Sequence, residues 1–219
     1  MAEMTLFHMP GACSRVTMTA LEEAGLTYAD TVINIMEGEQ RSPEYLKINP
    51  AGKVPTLKMG ESILTENAAI LSYIDFLVPE AKLLPAGSVP FGRAEVLSDL
   101  FFCSGSVHIY TRMIRMPIRF SESDPDSIKA NGTKYMHGVM EMLSAKLEKG
   151  PWWYGDDWSI VDVYLRWCYG LAETAGFPLS DYASVIEHAA RVEQWPSYLR
   201  AMAREKAARE ARGIKLPPA

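Results

Sequence analysis

The stretch from Asn49 to Leu57, Asn-Pro-Ala-Gly-Lys-Val-Pro-Thr-Leu, followed by Thr65-Glu66-Asn67 at the head of a helical pattern, limits the fold more than any other feature. Pro55 comes after a Pro-Ala-Gly turn and leads into Thr56-Leu57-Lys58, which reads as a short strand. Proline has no N–H to give a sheet, so it stands only on an edge, at a first strand position or at a bulge. Taken alone, the segment predicts an ordinary trans proline opening a strand. A cis Val54-Pro55 bond would instead turn the N–H and C=O of Val54 outward together, as a donor and acceptor pair on bare backbone.

The surrounding pattern alternates strand and helix. Met4 to His8 reads as a strand, broken by Met9-Pro10-Gly11, and Ser14 to Ala24 as a helix with Val16, Ala20, Leu21 and Ala24 on one face and Gly25 as its stop. Thr27 to Ile35 reads as a second strand, and Ser42-Pro43 as the cap and first position of a short helix that ends before Asn49. Val54 to Lys58 and Ser62 to Leu64 predict a hairpin around Gly60, and Ala69, Ile70, Tyr73, Ile74 and Leu77 recur at helical spacing. The order is that of an α/β unit with a mixed four-stranded sheet.

Between Val78 and Pro90 the prolines 79, 85 and 90 and Gly87 leave no periodicity, which makes 79–90 a linker between a domain at 1–78 and another at 91–219. Beyond it only helical stripes occur. Leu97, Leu100, Phe101, Ser104, Val107 and His108 share one that runs to Pro117, and Tyr135, Val139, Leu143 and Leu147 make a second. Ser159 to Asp162 reads as a capping box before Ile160, Val163, Tyr164, Trp167 and Leu171, and a last helix runs from Ser197 to Arg209. The fold class is therefore α/β plus all-α.

With 48% hydrophobic and 22% charged residues the composition is that of a globular protein, and a net charge of -5 argues against nucleic acid or an anionic membrane as partner. No apolar run reaches the roughly 20 residues of a membrane helix, and the start lacks a signal-peptide pattern, so a cytoplasmic location is expected. Cys13, Cys103 and Cys168 lie far apart, which suits reduced thiols better than disulfides or a metal site.

Pro10-Gly-Ala-Cys-Ser14 after the first strand, Asn49-Pro-Ala-Gly-Lys-Val-Pro55, Glu66-Asn67 opening a helix and the box at Ser159 to Asp162 occur in the order found in cytosolic glutathione transferases. Over its whole length the chain resembles that family, closest to the bacterial beta class. The resemblance implies a thioredoxin-like N-terminal domain, an all-helical second domain, a homodimer, glutathione as co-substrate, a hydrophobic electrophile as second substrate, a role in detoxification and a cis Val54-Pro55 bond.

Each part of glutathione then has a candidate partner. Val54 and Pro55 would form a backbone bridge with the cysteinyl residue. Glu66 and Asn67 would hold the γ-glutamyl end at a helix N-terminus, where free N–H groups and the dipole favour an anion. Lys53 would approach the glycyl carboxylate, although the acidic segment Met36-Glu37-Gly38-Glu39 stands where beta-class proteins often place a lysine. For the thiol the candidates are Cys13 and Ser14, at a strand-to-helix turn, and His108; between Cys13 and Ser14 the sequence does not choose. Cys13 would also permit a mixed disulfide with glutathione, and thus thiol-disulfide exchange or reductive dehalogenation. A non-catalytic interaction protein of the same fold is the third reading. Met9, Pro10, Phe102, Tyr110, Met113, Tyr164 and Trp167 are candidates for an apolar substrate pocket, Met116 and His8 are further candidates near it, and Arg112, Arg115 and Arg119 read as one basic helix face.

Overall fold

Every residue of Met4–His8 except Thr5 is buried, as a strand covered on both faces requires. This strand, β1, lies inside a mixed four-stranded sheet of order β2-β1-β3-β4 in a computed structural model that describes residues 3–85 and 91–215. It pairs in parallel with β2 (Ala29–Val32) and antiparallel with β3 (Thr56–Met59), with Leu6 opposite Leu57. β3 and β4 (Ser62–Thr65) close the expected hairpin at Gly60, whose φ is +56. The mixed sheet and the thioredoxin-like arrangement read from sequence are observed. β2 is shorter than Thr27 to Ile35 because its ladder runs out with β1: Ile33 N–H still reaches His8 O at 2.7 Å, and Asn34 N–H then goes to the Glu39 carboxylate.

Local signals set the helices of this region. α1 (Ser14–Glu23) buries Val16, Ala20 and Leu21 and stops at Gly25, φ +61. α2 (Pro43–Ile48) is capped by the Ser42 side chain, which accepts from Tyr45 N–H at 3.2 Å. α3 (Asn67–Leu77) packs against α1.

The described chain divides into two compact units, Met1–Leu83 with Trp195–Ala219, and Leu84–Gln194. The expected linker at 79–90 includes 86–90, outside the described residues; of the rest, Pro79–Ala81 forms a 3-10 turn and Leu83 is fully buried. The second unit holds α4 (Phe91–Phe102), α5 (His108–Arg115), α6 (Pro125–Leu147), α7 (Ile160–Glu173) and α8 (Ala183–Glu193). The single stripe from Leu97 to Pro117 is broken by a π-helical turn at Cys103–Val107, and Thr111 Oγ1 donates to Val107 O and Cys168 O, tying that turn to α7. Gly132 lets α6 approach α5, since a Cβ there would lie 2.6 Å from Met113 Cβ.

The predicted box at α7 is present and extended. Asp162 accepts from Ser159 N–H, Ser159 Oγ and Trp153 N–H, and its Oδ1 lies 3.0 Å from His188 Nε2 on α8, all in fully buried surroundings. α8 escaped the sequence reading although Val185, His188 and Val192 form its buried stripe. After it the chain returns to the first unit as α9 (Pro196–Ala211), which packs on α1 and buries Tyr198 and Ala201. The sequence division, with one helical domain from 91 to the end, does not include that return. Among the described residues no helix is long and apolar enough to cross a membrane.

Candidate active site

The backbone before Val54 is held by three side chains. Lys53 C=O accepts from Tyr45 OH at 2.6 Å, Asn49 Nδ2 at 2.9 Å and Thr56 Oγ1 at 3.4 Å. Asn49 also closes its own turn by accepting from Ala51 N–H, and Gly52, at φ +59, leaves no room for a side chain because a Cβ would sit 2.7 Å from Gln40 O. The following Val54-Pro55 bond is cis, as the family resemblance implies. Burial raises the Tyr45 phenol above its ordinary range, against the hydrogen bonds from Thr56 and Asn49, so it stays a neutral donor to Lys53 C=O. The Lys53 side chain is exposed.

The turn between β1 and α1 meets this backbone. Cys13 is the N-cap of α1 and 9% exposed, and its Sγ donates to Val54 O at 3.6 Å. Ser14 is fully buried; its hydroxyl donates to Met9 O at 3.1 Å and accepts from Met9 N–H at 3.2 Å. Both capacities of that hydroxyl are thus spent on the turn itself. Asn67 Nδ2 donates to Cys13 O at 2.9 Å, while its Oδ1 accepts from Thr17 Oγ1 at 2.5 Å. On the other side Glu205 of α9, 5% exposed, accepts from Gly11 N–H at 2.9 Å and takes Arg15 in a two-pronged ion pair at 2.6 and 3.2 Å. Burial pulls the Arg15 pKa down, but the Glu205 hydrogen bond and charge outweigh it and the guanidinium is held above its usual value.

At the start of α3, Glu66 is exposed and adopts φ 67, ψ 123, a conformation that costs a non-glycine residue about 1–3 kcal/mol. The first N–H groups of α3 have no partner within the helix, which leaves donors and the positive dipole end beside a strained acidic side chain. Because the Asn67 amide is committed to Thr17 and Cys13, what its position offers an anion is backbone.

Of the other sequence candidates, Met9 and Pro10 are buried in the first unit, and His8, fully buried, places Nε2 3.3 Å from Asp30. That hydrogen bond, against the effect of burial and with help from Arg204, holds the Asp30 carboxyl below its usual range. In the second unit His108 Nδ1 lies 3.3 Å from the Tyr164 hydroxyl, and its ring meets Trp167 edge-on at 4.6 Å. The Tyr110 ring meets Tyr135 of α6 tilted by 39° with centroids 5.0 Å apart and Met113 lies against Gly132, so these two border α6, whereas Phe102 is half-buried at the end of α4. Arg112 and Arg115 share α5, but the helix ends there and Arg119 belongs to a separate 3-10 turn, so the basic face expected from the sequence is not continuous. Cys103 and Cys168 are fully buried, and burial, with nearby Cys168, Asp99 and Asp162, pushes the Cys103 thiol well up, away from reactivity. A hollow of about 730 Å³ runs along α6 past Lys129, Thr133, His137 and Glu141; it is a surface groove on one helix and contains none of the candidate residues.

Sequence reasoning missed Glu205, Arg15, Thr17 and Tyr45. Arg15 and Thr17 follow the Cys13-Ser14 motif directly, and Tyr45 lies on the helix before the turn, but nothing around Glu205 in the sequence marks it.

Residues 2–76 match the family described as glutathione S-transferase, N-terminal domain. The chain is 27% identical over 176 residues to a glutathione S-transferase, GstA, of Escherichia coli O157:H7, spanning 77% of this chain and 84% of that one. It is 29% identical over 184 residues to glutathione S-transferase GST-4.5 of Xanthomonas campestris, spanning 83% and 89%. Among solved structures, a glutathione transferase homolog from Sulfitobacter with bound glutathione superposes with a TM-score of 0.82 at 26% identity, over 95% of this chain and 100% of that one. A bacterial beta class glutathione S-transferase from Sphingomonas chungbukensis superposes with a TM-score of 0.79 at 28% identity, over 92% and 98%.

Proposed function

We propose, from the premise that this chain belongs to the glutathione S-transferases through its N-terminal domain at residues 2–76, that it binds glutathione in the first unit and activates the thiol for attack on a hydrophobic or aromatic electrophile. One observation carries the reading: Cys13 Sγ stands 3.6 Å from Val54 O, so the side chain that would meet the thiol adjoins the backbone that would hold the cysteinyl residue. Val54 N–H and C=O bridge that residue. The first N–H groups of α3 take the γ-glutamyl carboxylate, Asn67 through its backbone, and Glu66 takes the ammonium group. Lys53 serves the glycyl carboxylate.

Cys13, rather than Ser14, is the donor to the thiolate: its long, weak S–H bond to Val54 O at 3.6 Å exchanges readily for one to a ligand, whereas the fully buried Ser14 hydroxyl is held by both the N–H and the C=O of Met9. Lowering a thiol pKa from about 8.5 by two units takes roughly 2.7 kcal/mol. A hydrogen bond to a charged group supplies about 1.5–3 kcal/mol and a helix N-terminus about 0.3–1 more. The thiol proton leaves to solvent. The sulfur then forms a bond to the electrophilic carbon, and the leaving group departs with its electron pair.

A second reading draws on the same cysteine. As a thiolate, Cys13 would attack a disulfide of glutathione, form the mixed disulfide and release one glutathione thiolate. Cys13→Ala and Cys13→Ser separate the two. Conjugation of an aryl halide falls by about 100-fold in Cys13→Ala, the rate equivalent of that 2.7 kcal/mol, and less in Cys13→Ser, whereas disulfide exchange vanishes in both. Calorimetric titration with glutathione tests the premise, and no binding at millimolar concentration overturns it. A cytoplasmic homodimer completes the proposal; exposed Phe76 and Phe101 support it, and light scattering on the purified chain checks it.

A further inference from the structure

The chain ends α9 with a tight reversal. Gly213, at φ +61, donates its N–H to Glu210 O at 3.0 Å, and Ile214 N–H donates to Arg209 O at 3.1 Å, the paired bonds of a helix closed through a left-handed glycine. The reversal turns Ile214 back onto the first unit. There it is 9% exposed and forms one apolar cluster with Met9 and Val32, against which Ala12, Val54 and Ala208 pack. Just before it, Arg212 donates Nη2 to Glu39 Oε1 at 2.5 Å and Nη1 to Val32 O at 3.5 Å, while the other Glu39 oxygen accepts from Asn34 N–H at 2.7 Å.

One turn of chain therefore shares a cluster or a hydrogen bond with three segments distant in sequence: the Cys13 turn with Met9 and Ala12, the peptide-holding backbone at Val54, and the end of β2 with the loop after it, through Val32 and Glu39. Contact with Ala208 alone would satisfy the hydrophobic preference of such a helix end. Ile214 is instead a wedge-forming member of the cluster against which both Ala12, next to Cys13, and Val54, whose carbonyl accepts from Cys13, are packed. In a close-packed interior the size of that wedge sets the separation of the two walls. The acidic loop, with Glu37 and Glu39 and no basic residue between Val32 and Glu39, receives its cation from Arg212.

We infer that the Arg212-Gly213-Ile214 turn is a positioning element of the glutathione site, in which Ile214 sets the spacing of Cys13 against Val54 and Arg212 anchors the turn through Glu39. The inference rests on the glutathione reading above. Its test uses the full chain and calorimetric titration with glutathione. Ile214→Ala raises the glutathione Kd about tenfold, as a small misplacement of a binding geometry does, and Ile214→Val returns it to within about twofold of wild type. Val185→Ala, a core change on α8 in the other unit, lowers stability without moving the Kd. Wild-type affinity in Ile214→Ala, or an equal loss in Val185→Ala, overturns the inference. Should Ile214→Ala fail to fold, Arg212→Gln, at a side chain 42% exposed, decides instead: a rise of about threefold upholds the anchor and an unchanged Kd overturns it. Failure of the wild-type chain to bind glutathione removes the reading beneath and is seen before any variant is made.

Discussion

α1 and α7 begin in opposite ways. At α7 the serine and aspartate close the first turn locally, and Asp162 collects donors from Ser159, Trp153 and His188 until no polar atom of the group faces water. At α1 the N-cap is a cysteine without a side-chain cap bond, and the turn is held from outside by Asn67 on Cys13 O and Glu205 on Gly11 N–H. A helix start that only has to be stable satisfies its donors from within. The start of α1 is instead fixed through its backbone, and the cysteine side chain makes no cap bond to its own helix.

The comparison is most easily broken at α7. Asp162→Ala strands several buried donors and costs about 3–5 kcal/mol, read as a lower urea midpoint, with little direct effect on glutathione affinity in the fraction that folds. At α1, Glu205→Ala removes the carboxylate that pairs with Arg15 and accepts from Gly11 N–H; about 2–3 kcal/mol of stability is lost and, unlike Asp162→Ala, glutathione binding weakens in the folded protein. A loss of stability with unchanged affinity in Glu205→Ala would erase the contrast.

A smaller effect is expected at β2. Asp30 is held below its ordinary carboxyl range by His8 and Arg204, so its contribution is present above the unfolded-state pKa and is lost as pH falls through the lower folded-state value. Because Arg204 is about a third exposed, solvent screening limits the contribution to about 1 kcal/mol. Urea midpoints measured from pH 6 down to 3 fall more steeply in wild type than in Asp30→Asn, and identical slopes would remove the role. The smallest effect belongs to Lys53→Ala, whose exposed side chain leaves stability within about 0.5 kcal/mol, so any change there appears in glutathione affinity.

Much of the fold was legible because its signals are local. Ser42-Pro43, Gly25, Gly60 and the Ser159 to Asp162 box each act across four residues or fewer, and the structure places a cap, a stop, a hairpin and a helix start there. The Cys13 turn and the Val54-Pro55 segment stood out only through the family resemblance, since alone they read as a helix start and an ordinary proline opening a strand. Less legible was the break in the helix before His108, because an apolar stripe carries through a π turn almost unchanged.

By itself, then, the sequence determined most of the segments that become strands and helices and pointed to the Cys13 turn and the Val54-Pro55 segment as the candidate site. Tertiary structure alone decided that Ser14 is consumed by Met9, that Asn67 serves Cys13 and Thr17, that Glu205, 194 residues downstream of Gly11, accepts from its N–H, and that Ile214 joins Met9 and Val32 in one cluster. The physical reason is range. Propensity and capping act within a turn or two of chain, whereas these choices depend on which donors and apolar atoms become neighbours once α9 has packed on α1.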